Sequence, residues 1–246
     1  MKKFLSLVYG VAAYLLFLGT FIYAIGFVGN IGVPKSLDGT ATGPWFRSCL
    51  IDLGLLSLFA LQHSGMARVA FKRQITRVIS PTIERSTFVF ASSIALLAVI
   101  TLWRPLGGVV WSVQNEAIRT VLYVAFACGW GIVLVTTFLI NHFELFGLRH
   151  VFLHFRGQPY RPVDFQTRAF YRFVRHPLMT GFVIAFWATP TMSAGHLFFA
   201  VMTTAYILIA VQLEERDLVT FHGDEYRKYQ RQVGMLLPRI NRSKST

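Results

Sequence analysis

Six apolar runs, at 4–28, 48–63, 87–103, 120–140, 178–192 and 197–213, leave this chain few folds to choose from. A helix needs about 20 apolar residues to cross a hydrocarbon core of roughly 30 Å. A composition that is 54% hydrophobic and only 14% charged over 246 residues, with a mean hydropathy of +0.52, excludes a soluble domain of this length. The expected fold is an all-α polytopic integral membrane bundle, a single domain over 1–246 with about five to six transmembrane helices. The first run follows Lys2 and Lys3, outlasts a signal-peptide core and lacks a small-residue cleavage site, which predicts a retained helix.

A net charge of +13 invites a nucleic-acid partner, but the basic residues are spread between the apolar runs instead of forming a patch interleaved with aromatics. The membrane accounts for them. Arg68, Lys72, Arg73, Arg77 and Arg85 fill the second link, and Arg149, Arg156, Arg161, Arg168, Arg172 and Arg175 fill the fourth. Arg227, Lys228 and Arg231 follow the last run, where they suit anionic headgroups. By the positive-inside rule these segments and Lys2-Lys3 are inside, and the charge-poor links 29–47 and 104–119 are outside. An even number of crossings satisfies this pattern.

The last two runs, joined by the short link 193–196, read as a C-terminal helix hairpin. Each arm is roughly 22–27 Å long at 1.5 Å per residue. The chain therefore enters at Pro177 and returns near Glu214 on the same face, which brings Arg175-His176-Pro177 toward Glu214-Glu215. Proline suits a first helical turn, whose free N–H groups and partial positive charge favour a carboxylate. Carboxylates opposite accept hydrogen bonds from an amine or from sugar hydroxyls. A zwitterionic ligand bearing ribose fits that pair, S-adenosyl-L-methionine among others. The inner face also collects Gln62-His63-Ser64, Asn141-His142-Phe143-Glu144, His150, His154 and the segment with Tyr226 and Tyr229. Cys49 and Cys128 lie in apolar runs without partners at ligand spacing, so they read as buried packing residues, with no metal site.

The motifs carry a resemblance. Arg175-His176-Pro177-Leu178-Met179-Thr180-Gly181, Glu214-Glu215-Arg216-Asp217-Leu218 and Phe221-His222-Gly223-Asp224-Glu225-Tyr226 resemble the C-terminal signature of membrane methyltransferases related to isoprenylcysteine carboxyl methyltransferase. A tyrosine usual in that signature is Met179 here. Over nearly the whole length, Gln62-His63-Ser64-Gly65-Met66-Ala67-Arg68, Glu84-Arg85-Ser86-Thr87, Asn141-His142-Phe143-Glu144-Leu145-Phe146-Gly147-Leu148 and Phe186-Trp187-Ala188-Thr189-Pro190-Thr191-Met192 resemble the NnrU-related branch, and within it the bacterial methanethiol S-methyltransferases. The resemblance implies methyl transfer from S-adenosyl-L-methionine to a small thiol, at a cofactor-binding region over about 141–238 on the cytoplasmic side of a bacterial inner membrane. It implies cofactor contacts from His142, Arg175, His176, Pro177, Glu214, Glu215, Tyr226 and Tyr229. A small alkanethiol is mostly protonated at neutral pH, so a base helps, and His63 and His142, each ending an apolar run on the inner side, are the catalytic candidates.

Each of these has a plainer competitor. His63 with Ser64 can cap a helix end, His142 with Glu144 can form an interfacial terminus, and Tyr226 and Tyr229 can anchor at headgroups. Phe143, Phe146, Phe186 and Trp187 can either wall a thiol pocket or simply pack. Other classes stay open: a methyltransferase for an isoprenylcysteine carboxylate or a phospholipid amine, a haem-binding protein using the histidines near helix ends, or a transporter. The last is disfavoured by apolar runs with few charges and no inverted repeat.

Overall fold

A computed structural model describes residues 1–41, 43–161 and 169–239. Of the residues singled out above, Arg168 lies outside the described residues. Ten α-helices follow in order among the described residues: α1 Lys2–Gly29, α2 Trp45–Ala67, α3 Val69–Ile75, α4 Pro81–Leu102, α5 Glu116–Ile140, α6 His142–Leu145, α7 Leu148–Phe155, α8 Pro177–Trp187, α9 Ala194–His222 and α10 Asp224–Gln232. Two short strands, β1 Val109–Ser112 and β2 Thr191–Ser193, pair antiparallel. The all-α membrane bundle is as the apolar runs require: α1, α2, α4, α5 and α9 are each long and apolar enough to cross a bilayer.

The helix ends follow local chemistry. Ser80 Oγ accepts from Thr82 N–H with Pro81 in the first turn of α4, Asn115 Oδ1 accepts from Ile118 N–H at α5, and Ser193 Oγ accepts from His196 N–H at α9. Each satisfies an N–H that the helix itself leaves unpaired. α1 stops at Asn30, whose left-handed φ of 53° lets its N–H return to the Gly26 carbonyl.

The helices close into a circuit. α2 packs on α4, α4 on α1, α5 on α8, α8 on α9 and α9 on α2, while Phe21 of α1 meets Trp130 of α5 edge-on at 5.3 Å. The half nearer the sheet is filled by Phe27, Trp103, Phe126, Trp130, Phe186 and Phe199. α5 and α8 approach most tightly at Gly129 and Gly181, where an added Cβ on either would lie 2.7 Å from backbone of the other helix. Only glycine admits that contact.

The first hairpin arm is shorter than the sequence suggests. The run 178–192 was expected to be helical to its end, but α8 stops at Trp187 and the chain goes on extended into β2. Pro190 lacks the N–H that a continuing helix needs and disfavours helix at Thr189 before it. Val113 N–H instead donates to the Pro190 carbonyl at 2.9 Å, so β1, in the link after α4, takes up the backbone that the helix gives up. The chain still passes from one end of the bundle to the other, and α9 brings it back. The segment after α5 carries α6 and α7. Cys128, expected to be buried, is exposed on α5, on a face that lipid can cover.

Candidate active site at the hairpin mouth

The mouth between α8 and α9 is organised by a carboxylate, Glu215. Arg175 Nε donates to Oε1 at 2.6 Å and Arg175 Nη2 to Oε2 at 3.1 Å, a two-point fork that is geometrically specific and charge-assisted. His176 Nε2 lies 3.0 Å from Oε1 and Gln230 Nε2 donates to Oε2 at 2.9 Å. Arg175 Nη1 turns to the carbonyls of Gln230 and Val233. The Arg175 and Glu215 side chains are only 9% and 12% exposed.

Backbone completes the clamp. Arg175 N–H donates to the Gly234 carbonyl at 2.8 Å and His176 N–H to that of Met235 at 3.1 Å, and Thr180 Oγ1 donates to the Leu236 carbonyl at 2.8 Å. The segment after α10 is thereby strapped across the start of α8. Glu215 spends both oxygens on the chain itself.

Glu214 is placed differently. Consecutive helical residues point about 100° apart, and the Glu214 side chain is 55% exposed, meeting His176 Nδ1 at 3.8 Å, beyond hydrogen-bonding range. Among the described residues no donor is hydrogen-bonded to its oxygens, so their acceptor capacity is open. Beside it α8 begins with Pro177, and the N–H groups of Leu178 and Met179 have no carbonyl within the helix to bond. Tyr229 O–H donates to the Tyr171 carbonyl at 2.5 Å, tying α10 to the turn before α8. Tyr226, only 5% exposed, packs inside and does not anchor at a surface. Tyr171 was not in the sequence-based set; burial, with Glu214 and Tyr229 close by, pushes its phenol up to about 12.

The remaining candidates lie in two other places. His142, buried at the end of α5, has both ring nitrogens engaged: Nε2 with Tyr14 O–H at 2.9 Å and Nδ1 with Thr137 Oγ1 at 2.8 Å. Its ring stacks on Phe138 at 4.4 Å, and burial holds its pKa below the ordinary value. Through these two contacts it links α1 to the end of α5. His63 stacks on Phe59 at 5.4 Å and places Nδ1 3.3 Å from Ser92 Oγ on α4. Next to it Ser64 Oγ meets Tyr206 O–H of α9 at 2.9 Å.

A further polar group binds α6 and α7 to the loop beyond. Glu144 accepts from Tyr160 O–H at 2.5 Å and from Arg149 Nη1 at 2.8 Å, and His150 Nε2 lies 3.5 Å away. Burial raises the Glu144 carboxyl, but the Tyr160 and Arg149 hydrogen bonds outweigh it and leave it below the usual range. The aromatics expected around a thiol pocket do not share one. Phe186 packs on Trp130 and Phe199 in the core, Phe146 stacks on Phe17 at 3.9 Å, and Trp187 Nε1 donates to Thr204. Sequence reading missed Ser92, Gln230 and Tyr171. A serine inside an apolar run was the available signal for Ser92; for the other two there was none.

Comparison with known proteins gives consistent matches. The chain is 53% identical over 238 residues to methanethiol S-methyltransferase of Mycobacterium tuberculosis, covering 97% of this chain and 98% of the relative. It is 53% identical over 236 residues to the protein of that name from Crocosphaera subtropica, covering 96% and 92%. Nurim of Bos taurus is a more distant relative, 27% identical over 83% of this chain and 82% of its own length. No protein-family model and no solved structure matches.

Proposed function

The chain belongs to the methanethiol S-methyltransferase family, and from that premise we propose that it methylates methanethiol with S-adenosylmethionine as donor, at the mouth of the α8–α9 hairpin. It is a membrane-embedded thiol S-methyltransferase. The observation that supports the placement is the division of labour between neighbouring glutamates: Glu215 is saturated by Arg175, His176 and Gln230, while Glu214 stays open beside the free N–H groups of α8.

The donor set fits this cofactor. A carboxylate suits the first turn of α8, by dipole and by unpaired N–H, and an ammonium or ribose hydroxyl suits the Glu214 oxygens. When bound, S-adenosylmethionine supplies a methyl group activated by a sulfonium, and the thiol sulfur takes that methyl to give dimethyl sulfide and S-adenosylhomocysteine. The chain's own residues do the rest. Glu215, through Arg175 and His176, fixes the start of α8 so that its N–H groups point at one place. The strap at 233–236 keeps that geometry from opening. Positioning of this kind is worth roughly 7–11 kcal/mol in favourable reactions. His63 accepts the thiol proton; His142, with both nitrogens engaged, positions the end of α5 and does not act as the base.

The site lies on the basic, cytoplasmic side, in a bacterial inner membrane, an orientation supported by the arginines and lysines of the links at that end. The test is headspace gas chromatography of dimethyl sulfide from detergent-purified protein supplied with S-adenosylmethionine and methanethiol, against an enzyme-free control. Product above control is expected. Cofactor binding without product would instead move the acceptor to an isoprenylcysteine carboxylate or a phospholipid amine.

A further inference from the structure

The hairpin mouth lies at one end of the bundle, and the end beside the sheet holds a cavity that the proposed reaction does not use. The loop after α1 folds back toward the last turn of α4, and between them opens a recess of about 410 Å³ walled in part by Val33, Lys35, Asp38, Trp103 and Arg104. Val33 also lines a second hollow of about 410 Å³, which continues down the face of α1 over Gly19, Ile22, Tyr23 and Gly26. This hollow faces outward: Ile22 and Ile31 in it are 59% and 55% exposed, and a Cβ added at Gly19 would meet nothing within 4 Å. From Gly19 to Asn30, at the recess, is about 16 Å at 1.5 Å per residue, and one leaflet of a roughly 30 Å hydrocarbon core is about 15 Å deep. The hollow has the length and the apolar lining of a site for an acyl chain.

The recess above it carries the opposite chemistry. Lys35 Nζ donates to the Thr101 carbonyl at the end of α4, and an ammonium has further N–H groups to give. Arg104 is fixed through its backbone, whose N–H donates to Asp52 Oδ1 at 2.8 Å. Among the described residues its exposed guanidinium makes no hydrogen bond and no ion pair. Burial, and then the like charge of Arg104, hold the Lys35 ammonium below its ordinary value, and Asp52 pulls the other way less strongly. The two cations are therefore close enough to repel, and an anion between them relieves both. Neither nearby carboxylate meets that need. Asp38 Oδ2 is engaged by His196 at 3.2 Å, Asp52 is fully buried and outside the recess lining, and the remaining oxygen of each is sealed from a ligand.

We propose that recess and groove together bind one diacyl glycerophospholipid of the leaflet opposite the hairpin mouth, its phosphodiester on Lys35 and Arg104 and one acyl chain along α1 from Val33 to Gly19. Lysine and arginine are the side chains that suit a phosphate, and an anion held between two cations is charge-assisted on both sides. The two hollows meet at Val33, in the order in which a phospholipid carries its parts. A soluble anion would use only the recess, and a lipid without phosphate only the groove. The bound lipid would tie the loop after α1 to the end of α4, and it does not depend on the group transferred at the mouth.

The test is native mass spectrometry of the detergent-purified full chain with phosphatidylglycerol, or with diacylglycerol of the same acyl chains, beside melting midpoints in lipid-free detergent to confirm folding. Wild type is expected to retain one phosphatidylglycerol about tenfold more strongly than diacylglycerol, as charge-assisted contacts to the phosphate require. The double variant Lys35→Gln, Arg104→Gln is expected to lose that preference, and Gly19→Leu, which fills open space, to lower phosphatidylglycerol retention severalfold at an unchanged midpoint. Arg227→Gln with Lys228→Gln, on α10 at the other end, is expected to retain the lipid as wild type does. Equal retention of the two lipids, or wild-type retention in either of the first two variants, overturns the proposal. So does release of the lipid by inorganic phosphate, which would make the recess a site for a soluble anion, or a lipid-free dimer that Gly19→Leu dissociates, which would give the groove to a second copy. If the double variant does not fold, Arg104→Gln alone, whose guanidinium holds nothing in the described chain, and Gly19→Leu decide in the same way.

Discussion

The two ends of the α8–α9 hairpin hold the same chemical pair, a histidine against a carboxylate, in opposite conditions. At the end beside the sheet, the outer one in the proposed orientation, His196, 1% exposed, is held between Asp38 Oδ2 at 3.2 Å and the Phe186 carbonyl at 3.0 Å. Both its nitrogens are spent. At the inner end His176 leans on Glu215 at 3.0 Å, while Glu214 beside it stays half exposed. One pair closes a structure and the other leaves acceptor capacity at an opening. A histidine–carboxylate contact therefore says little about function until the unspent atoms around it are counted.

The comparison can be broken most severely at Glu215. Glu215→Ala leaves the largely buried Arg175 and His176 without their acceptor, and removing one partner of a buried pair costs about 3–5 kcal/mol. The expected result is a large drop in thermal midpoint together with lost cofactor binding, read by scanning fluorimetry and calorimetry. At the outer end Asp38→Ala should cost about 1–3 kcal/mol, the range for a buried group left unsatisfied, with cofactor affinity unchanged. A change in affinity there would show that the two ends are coupled. Glu214→Gln should leave the melting midpoint alone and weaken S-adenosylmethionine about tenfold, or 1.4 kcal/mol. Wild-type affinity would take Glu214 out of the site.

The smallest effect expected is in pH. Burial lowers the His142 pKa, so the unfolded chain binds a proton there more readily than the folded one. Its contribution to stability is present above the unfolded value near 6.5 and is lost as the pH falls through the lower folded value. Melting midpoints compared above and below that value should fall on the acid side, and fall less in His142→Gln.

Apolar length and charge bias made the crossings legible, because lipid imposes a rule on each segment separately. The meeting of Arg175-His176 with Glu215 was also legible, since a hairpin with equal arms must return to the face it left. Three things were hidden. Pro190 signals locally that α8 ends early, but the distant strand that takes up the freed backbone is announced by nothing around Trp187. Which glutamate stays open depended on Gln230 and on the strap after α10. The saturation of His142 depended on Tyr14, far away in sequence on α1. All three are long-range pairings, and periodicity carries no information about partners.

The break at Trp187 has a mechanical consequence. α8 supplies about 16 Å of rise over its length, and extended backbone supplies the rest at roughly twice the reach per residue. The segment is fastened at both ends, by the Arg175–Glu215 fork and by the Met192–Trp111 register of the sheet, and pressed against α5 at Gly181 between them. It acts as a ruler that sets the distance from the mouth to the far side of the bundle. A single residue added to α8 would turn everything beyond it by about 100°, and neither fastening has slack to absorb that turn.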